Sequence, residues 1–518
     1  MKKIHIVILV LLVLIAYLNT LQNSFFGDDK NLLVNNTFYS SWSNVPRLFQ
    51  KGVVTDGKEY LFVYGAEDKG SFNPSFRILD KLTFFSDYSL WGKNPLGYHL
   101  ENIFIHLLNV ILLYLIVIKF FPSNVAFFAA FLFGVHPALS EPVAVISYRG
   151  DLLATFFVLL SFYRWIKFSE YYKNIKHYWY SLCFFLLAVL TKESTAVLPL
   201  VILLYQWLFN KQKALLQYQV GFWIILCFYL IVYFFIYPHS VLVVARHNFL
   251  EQGCVIIRVL FEYLKAFALP WFIHPLPPDY SPFQGKIIGI EVFIHFFVIL
   301  LLFFFSLIVA KRNNILIFFI AWFLVFYLPI SNIIPLLNLM AYRYFYLPSI
   351  GLCVFISFFV MHNKKLSVQI LFVIWGFFIS LIFQTIYLNC FMKNSIVAEY
   401  YWIKNYPDNI FGYSFLGQDY FSMQKYDEAK EVLEMGLKHG MKDPFAKNAL
   451  ANCYMIEHEK EKAKNIFQEI ILESPWYPDA YCNLAQIYSL ENKKQEAIQL
   501  IKKARQINPK SCLFMRLN

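Results

Sequence analysis

The chain reads as an all-α protein, a polytopic membrane domain followed by a soluble helical repeat. Three observations lead there. Of the 518 residues, 59% are hydrophobic and only 15% charged, against about 25% charged in soluble domains. Runs of eighteen or more mostly apolar residues recur through the first three quarters, as in spanning helices and unlike the short alternating strands of a barrel. Residues 404–518 are polar and carry a 34-residue period.

Charge and cysteine usage narrow the class. The formal net charge is +12, with 29 Lys/Arg against 18 Asp/Glu in residues 1–403 and 16 against 15 in 404–518. The basic excess thus belongs to the membrane part, and no basic tract suits nucleic acid. Eight Cys are scattered without CxxC or Cys/His spacing. Neither a zinc site nor a disulfide scaffold is expected.

Lys2 and Lys3 precede an apolar run over 4–21. With no small-x-small cleavage site before Asn23, the run reads as a retained anchor whose start lies in the cytoplasm. A long, aromatic-rich external loop follows, 22–98. Further spans are expected at about 98–120, 123–136, 152–168, 178–191, 195–209, 219–237, 287–310, 314–331, 344–361 and 368–390. Residues 238–285 are ambiguous. Arg258, Glu262 and Lys265 recur there near one or two helical turns, which fits an amphipathic helix at the interface. Leaving that stretch out keeps Lys119, Arg164, Lys167, Lys173, Lys176, Lys211, Lys213, Lys311, Arg312, Lys364 and Lys365 on the cytoplasmic side. The positive-inside rule therefore selects eleven spans. The same parity sends the C-terminal domain outside. The expected boundary falls between a membrane domain, 1–395, and a repeat domain, 396–518.

In the repeat domain Leu416, Leu450 and Leu484 are 34 apart, as are Tyr420, Tyr454 and Tyr488, and Ala429, Ala463 and Ala497. This is the pattern of three tetratricopeptide repeats, each a helix pair. Three such pairs make a curved solenoid whose concave face suits an extended peptide, with Asn452 and Asn483 placed to reach its backbone.

The stretch Phe25-Phe26-Gly27-Asp28-Asp29 puts two carboxylates where the first span emerges. The topology gathers further polar residues at external ends: Arg77, Asp80, His99, His136, Glu141, Arg149, Asp151, Lys192, Glu193 and Arg343. His106 lies one to two turns inside a span, where ionisable groups usually line a cavity. Each also has a plainer reading. Lys192-Glu193 suits an ion-paired turn, Arg149 and Asp151 a solvated helix start, and His136-Pro137 a span terminator. Taken together, carboxylates beside Arg and Lys suit a lipid-phosphate donor. Cations hold the phosphate, and a carboxylate takes a proton from an acceptor hydroxyl. No Gly-rich phosphate loop speaks for a soluble nucleotide-sugar donor.

The chain resembles the transmembrane and tetratricopeptide repeat-containing O-mannosyltransferases and their bacterial relatives. The likeness rests on Asp28-Asp29 after span one and on Asn94-Pro95 with His99 and His106. It rests also on His136-Pro137, Glu141, Arg149 and Asp151, on Lys192-Glu193-Ser194, and on Arg343-Tyr344, Tyr346 and Pro348-Ser349. Two departures stand out. Phe76 and Ile78 replace the Tyr and Pro that usually flank Arg77, and Tyr342 replaces an acid before Arg343. The resemblance implies a GT-C-type fold of about eleven spans in the inner (cytoplasmic) membrane, with an extracytoplasmic repeat domain. It implies inverting transfer of a monosaccharide from a polyprenyl-phosphate donor, here undecaprenyl phosphate, to a hydroxyl. In eukaryotic relatives the sugar is mannose and the acceptor Ser/Thr of exported proteins. Asp28 or Asp29 would be the general base. Arg149, Arg343 and Lys192 would hold the donor phosphate. Arg77, His99, His106, His136, Glu141, Asp151 and Glu193 would line the pocket. No cofactor is certain, and a divalent cation is left open. The rival expectations are an envelope glycan or lipid glycosyltransferase or polymerase, a membrane-anchored scaffold, and a transporter, which would place its ionisable groups nearer mid-membrane.

Overall fold

The computed structural model describes residues 2–34, 36–49, 77–171, 174–209, 213–236, 248–273, 289–311, 313–336, 338–362, 368–508 and 511–512. The middle of the first external loop, the Pro-rich stretch beyond 273, and Lys173, Lys211, Arg312, Lys364, Lys365 and Pro509 lie outside the described residues. Among the described residues the elements are helices and turns, with no strand. They fall into two compact units that part between Lys393 and Asn394.

The first unit contains α1 (Lys2–Tyr17), α2 (Ile78–Trp91), α3 (Pro95–Val117), α4 (Ser123–Val135), α5 (Glu141–Ala144), α6 (Arg149–Glu170) and α7 (Lys176–Thr191). It continues with α8 (Leu198–Phe209), α9 (Gln219–Ile231), α10 (Phe249–Ala268), α11 (Ile290–Ala310), α12 (Asn314–Tyr327), α13 (Ser349–His362) and α14 (Val368–Phe391). Among the described residues six segments are long and apolar enough to cross a membrane: Lys2–Gln22, Pro95–Val117, Ile146–Glu170, Leu215–Phe235, Ile290–Ala310 and Phe372–Phe391. Four shorter apolar helices lie between them, Ser123–Val135, Glu193–Phe209, Asn314–Ile330 and Ser349–Met361. With α7 these occupy the eleven expected spans.

Helix direction bears on the ambiguous stretch. Asn389 Nδ2 donates to the Ala16 carbonyl at 3.0 Å, and Asn23 Nδ2 to the Asn389 carbonyl at 3.3 Å. Ser24 N donates to the Lys393 carbonyl at 2.9 Å. The C-terminal ends of α1 and α14 therefore share one face, and the two helices run parallel. A first and a last span can run parallel only if the number of crossings is odd. The parity fits the reading that leaves α10 out of the crossings. That helix carries Glu251, Arg258, Glu262 and Lys265, and a capping box of Asn248 and Glu251 starts it. On the opposite face Lys119, near the end of α3, reaches Glu170 at the end of α6 at 3.0 Å, and Asn124 at the start of α4 reaches the Met361 carbonyl at 3.3 Å. Both contacts fit alternating directions.

Local chemistry moves two expected boundaries. The helix α3 starts at Pro95 rather than 98, because Asn94 accepts from Leu96 N at 3.2 Å and proline is pre-set for the first helical position. The helix α6 starts at Arg149 rather than 152. The packing is rich in aromatic rings; Phe162 stacks on Phe318 with centroids 5.4 Å apart. At the α12–α13 crossing a Cβ on Gly351 would lie 2.3 Å from the Phe319 carbonyl, so only glycine permits that approach. The helix α2, inside what reads as loop, was not foreseen. Its Phe84 and Phe85 share a buried cluster with Phe38, Tyr39 and Tyr98.

The second unit contains α15 (Ser395–Asn405), α16 (Ile410–Ser422), α17 (Tyr426–Lys438), α18 (Pro444–Ile456), α19 (Lys460–Glu473), α20 (Pro478–Leu490) and α21 (Lys494–Ile507). The last six form three helix pairs in the expected register. Leu450, Leu484, Ala463 and Ala497 are buried between them. The turn inside each pair passes through the left-handed region at Gln424, His458 and Asn492, with φ of 62°, 65° and 62°. These residues are again 34 apart. Lys430–Glu457 at 2.6 Å and Lys464–Glu491 at 2.8 Å repeat at the same interval. Asn483 Nδ2 is engaged with Asn448 Oδ1 at 2.9 Å. One expectation is overturned: Cys482 and Cys512 form a disulfide, with Cα atoms 5.5 Å apart. Their 30-residue separation forms no recognisable motif. Helix packing brings them together.

Candidate functional site

Gly27, at φ 51°, turns the chain sharply after α1. The turn sends the two carboxylates opposite ways. Asp28 is exposed; Asp29 is wholly buried. Asp29 accepts from Phe26 N at 3.0 Å, Ile146 N at 3.3 Å and Ser147 N at 2.6 Å. It thereby ties the α1 exit to the segment leading into α6. Burial pushes its carboxyl up to about 6, against the downward pull of those N–H groups.

The next residue along that segment meets a cation. The Arg343 guanidinium lies 4.0 Å from the Tyr148 ring centroid and 5.0 Å from that of Tyr344. Glu141 accepts from Arg343 N at 2.7 Å and from Nη1 at 2.8 Å. The other face of the cluster belongs to Lys192, whose Nζ is 2.5 Å from Asp151 and 5.1 Å from the Tyr344 centroid. Arg77 and Glu193 form a two-pronged pair at 3.0 and 2.5 Å, about one third exposed. Asp80 lies nearby against Gly150, where a Cβ would be 3.3 Å from its Cγ. Burial raises the Asp80 carboxyl to about 6, opposed by Arg77 and Arg149.

A small cleft opens beside Lys192. Its polar wall is Asp151, Thr155, Lys192, Ser194 and Tyr344; its apolar wall includes Phe326, Ile330, Leu347 and Pro348. The Thr155 hydroxyl is buried and has no hydrogen-bond partner. Sequence reading missed Thr155, although it follows Asp151 by one helical turn on α6 and so shares its face.

Other expected site residues have different tasks. Arg149, assigned to the donor phosphate on sequence grounds, is completely buried and donates from all three of its nitrogens. Nε donates to Asn102 at 2.7 Å and Nη2 to the Tyr98 carbonyl at 3.1 Å, while Nη1 meets Asp87, Glu101 and Thr83. It clamps α2, α3 and α6 together. His106 bridges Tyr346 at 2.6 Å and the Gly134 carbonyl at 2.9 Å. Nε2 faces a carbonyl and so donates; Nδ1 accepts from the tyrosine. His136 donates from Nε2 to the Phe267 carbonyl at 2.9 Å and stacks on that ring with centroids 4.2 Å apart, pinning α10. His99 is buried with neither ring nitrogen in hydrogen-bond geometry. His106 and His136 hold helices together, and none of the three histidines lines the cleft. Among the described residues no three His, Cys, Asp or Glu side chains gather as a metal set.

Residues 87–241 match the family described as dolichyl-phosphate-mannose-protein mannosyltransferase, and residues 478–511 match the tetratricopeptide repeat. A protein O-mannosyl-transferase of Caenorhabditis elegans is 30% identical over 172 residues, 32% of this chain and 23% of that protein. One of Drosophila melanogaster is 32% identical over 152 residues, 29% and 17% of the two chains. A human one is 28% identical over 202 residues, 35% and 26%. The matches thus span a quarter or less of these relatives' length, or little more. An archaeal oligosaccharyltransferase from Archaeoglobus fulgidus, solved with an inhibitory peptide and a dolichol-phosphate, aligns with a TM-score of 0.39 at 15% identity, over 82% of this chain and 59% of that one. The first match contains Glu141, Asp151, Lys192 and Thr155 of the cleft region. Through its membrane part the chain is similar to the dolichyl-phosphate-mannose-protein mannosyltransferases, and its second unit carries the tetratricopeptide repeat.

Proposed function

We propose that the protein is an inverting glycosyltransferase that moves a monosaccharide from a polyprenyl-phosphate donor to a hydroxyl of an exported polypeptide. One observation supports this most. Residues 146–148 bind the Asp29 carboxylate with two N–H groups and stack Tyr148 on Arg343. The acidic turn and Arg343 therefore meet on one short segment, although they are more than 300 residues apart in the chain.

In this reading Asp28 is the base, because it is exposed and its neighbour is committed to backbone. Asp28 takes the acceptor hydroxyl's proton as the oxygen attacks the anomeric carbon. The bond from that carbon to the phosphate oxygen breaks, and the polyprenyl phosphate leaves with its charge balanced by Lys192 and Arg343. Asp151 and Glu141 hold the two cations in position before the donor arrives. Thr155 and Ser194 supply hydroxyls to the donor head, and Phe326, Ile330, Leu347 and Pro348 accommodate the first isoprene units. Asp29 is a positioning residue. The relatives' names make mannose the first sugar to test.

The membrane would be the cell's inner membrane, with the acidic turn outside and Lys2 and Lys3 inside. The chain leaves α14 on the face that carries Asp28. The repeat unit would then be extracytoplasmic and hold extended acceptor segments.

The purified protein should transfer label from polyprenyl-phosphate mannose to Ser/Thr peptides with inversion at the anomeric carbon. Label found in a glycan or lipid product instead would assign it to envelope synthesis. No transfer from any polyprenyl-phosphate sugar, in a protein that folds, would overturn the reading.

A further inference from the structure

The two carboxylates that hold the cations are not equally committed. Glu141 uses both oxygens on Arg343: Oε2 accepts from its N at 2.7 Å and Oε1 from Nη1 at 2.8 Å. Asp151 uses one. Its Oδ1 meets Lys192 Nζ at 2.5 Å, and its Oδ2 accepts no hydrogen bond among the described residues. Asp151 lines the cleft, with its side chain 12% exposed. One turn further along α6, the buried Thr155 hydroxyl lines the same cleft and also lacks a partner. One helix face thus offers an acceptor-only oxygen and a hydroxyl. The carboxylate oxygen does not suit a phosphodiester, whose oxygens also accept only and carry like charge. It suits a hydroxyl, and the donor's sugar ring carries several.

Position selects which one. With the donor phosphate on Lys192, the phosphate lies one hydrogen bond from the ammonium that Asp151 already holds. The ring hydroxyl nearest that phosphate is on the carbon beside the anomeric centre. We propose that Asp151 Oδ2 accepts a hydrogen bond from the 2-hydroxyl of the donor sugar, so that Asp151 determines sugar specificity as well as holding Lys192. The inference rests on the polyprenyl-phosphate-sugar reading above. The bond tightens as the anomeric carbon gains positive charge, as hydrogen bonds to the 2-hydroxyl do in glycoside hydrolysis. Asp151 takes no proton in the step; it remains a carboxylate between the ammonium and the sugar.

The test uses the full-length protein in detergent with polyprenyl-phosphate mannose and its 2-deoxy and 4-deoxy analogues. Equilibrium binding is measured without acceptor, and transfer with a Ser/Thr peptide. The wild type should bind the 2-deoxy donor about 10–100-fold more weakly than the mannose donor, the range for one hydrogen bond to a charged group. D151N should bind the mannose donor more weakly and discriminate against the 2-deoxy donor by less than about threefold, with the 4-deoxy ratio as in the wild type. A wild type that binds the mannose and 2-deoxy donors equally would overturn the proposal. So would a D151N that weakens all three donors alike, because that pattern is the loss of Lys192's anchor alone. Should D151N not fold, K192M/D151L removes both charges of the pair and should lose the 2-deoxy discrimination in the same way; discrimination retained there would overturn the proposal. The two readings fail separately. The expected binding pattern without transfer to peptide overturns the transferase reading and leaves this subsite standing; transfer with equal binding of the 2-deoxy donor does the reverse. A wild type that binds none of the three donors overturns both.

Discussion

Arg149 offers the sharpest separation between a residue that builds the site and one that works in it. Its side chain and that of Asp87 are both fully buried and paired. Arg149→Met leaves Asp87 buried without its cation, and leaves Asn102 Oδ1 and the Tyr98 carbonyl without their donor. Breaking a buried pair by removing one partner costs about 3–5 kcal/mol. At about 1.4 kcal/mol per tenfold, that lowers the folded-to-unfolded ratio by two to three and a half orders of magnitude. Removing both charges in R149M/D87L takes away the stranded carboxylate and should recover most of the loss. The assay is thermal unfolding in detergent for the wild type, R149M and R149M/D87L, with donor KM measured at a temperature where each is folded. R149M should show a large fall in melting temperature, the double variant should recover, and donor KM should stay near wild type in whichever protein folds. A stable R149M that melts like the wild type but needs tenfold more donor would refute the reasoning and return Arg149 to the phosphate.

Other expectations follow from the same geometry. Thr155→Val keeps the side-chain shape and removes a hydroxyl that has no partner in the protein, so stability should hold or rise. Donor KM should rise about tenfold, as for a lost hydrogen bond to a charged group; an unchanged KM would remove Thr155 from the donor site. Asp29 should make stability depend on pH. Its folded carboxyl titrates at about 6 against about 3.9 unfolded, so the folded state binds the extra proton between those values. Its favourable contribution is full below about pH 4 and is lost as pH rises through about 6, a change of at most about 3 kcal/mol. Melting curves from pH 4.5 to 7.5 should show this trend in the wild type and a flatter profile in D29N; equal slopes would contradict it. Leu450→Ala in the repeat core should cost about 2–5 kcal/mol, read as earlier unfolding of that unit, with donor KM unchanged.

Much of the architecture was legible because it rests on local pattern. Apolar runs mark the spans, the 34-residue period marks the repeats, and Arg258, Glu262 and Lys265 mark α10 as a helix with charged residues along it. The roles of the site residues were harder to read. Arg149 and Arg343 are the same residue type at the same ends of spans. What separates them is their partners: Asp87, Glu101 and Asn102 lie 62, 48 and 47 residues from Arg149, whereas Arg343 meets the ring of Tyr148. Those contacts depend on which helices pack together. The histidines show the same limit. In sequence they read as cavity residues; in the fold His106 and His136 hold carbonyls and aromatic rings. The split between Asp28 and Asp29 comes from a single glycine turn. The disulfide escaped because helix packing, and not a cysteine motif, brings its two halves together.

The central claim concerns Asp28 and is best met by transfer kinetics of Asp28→Asn with polyprenyl-phosphate mannose. The side chain is exposed, so the variant should melt like the wild type and bind donor as well, while kcat falls by about 10²–10⁴, the usual worth of a general base. A folded D28N with wild-type kcat would contradict the account.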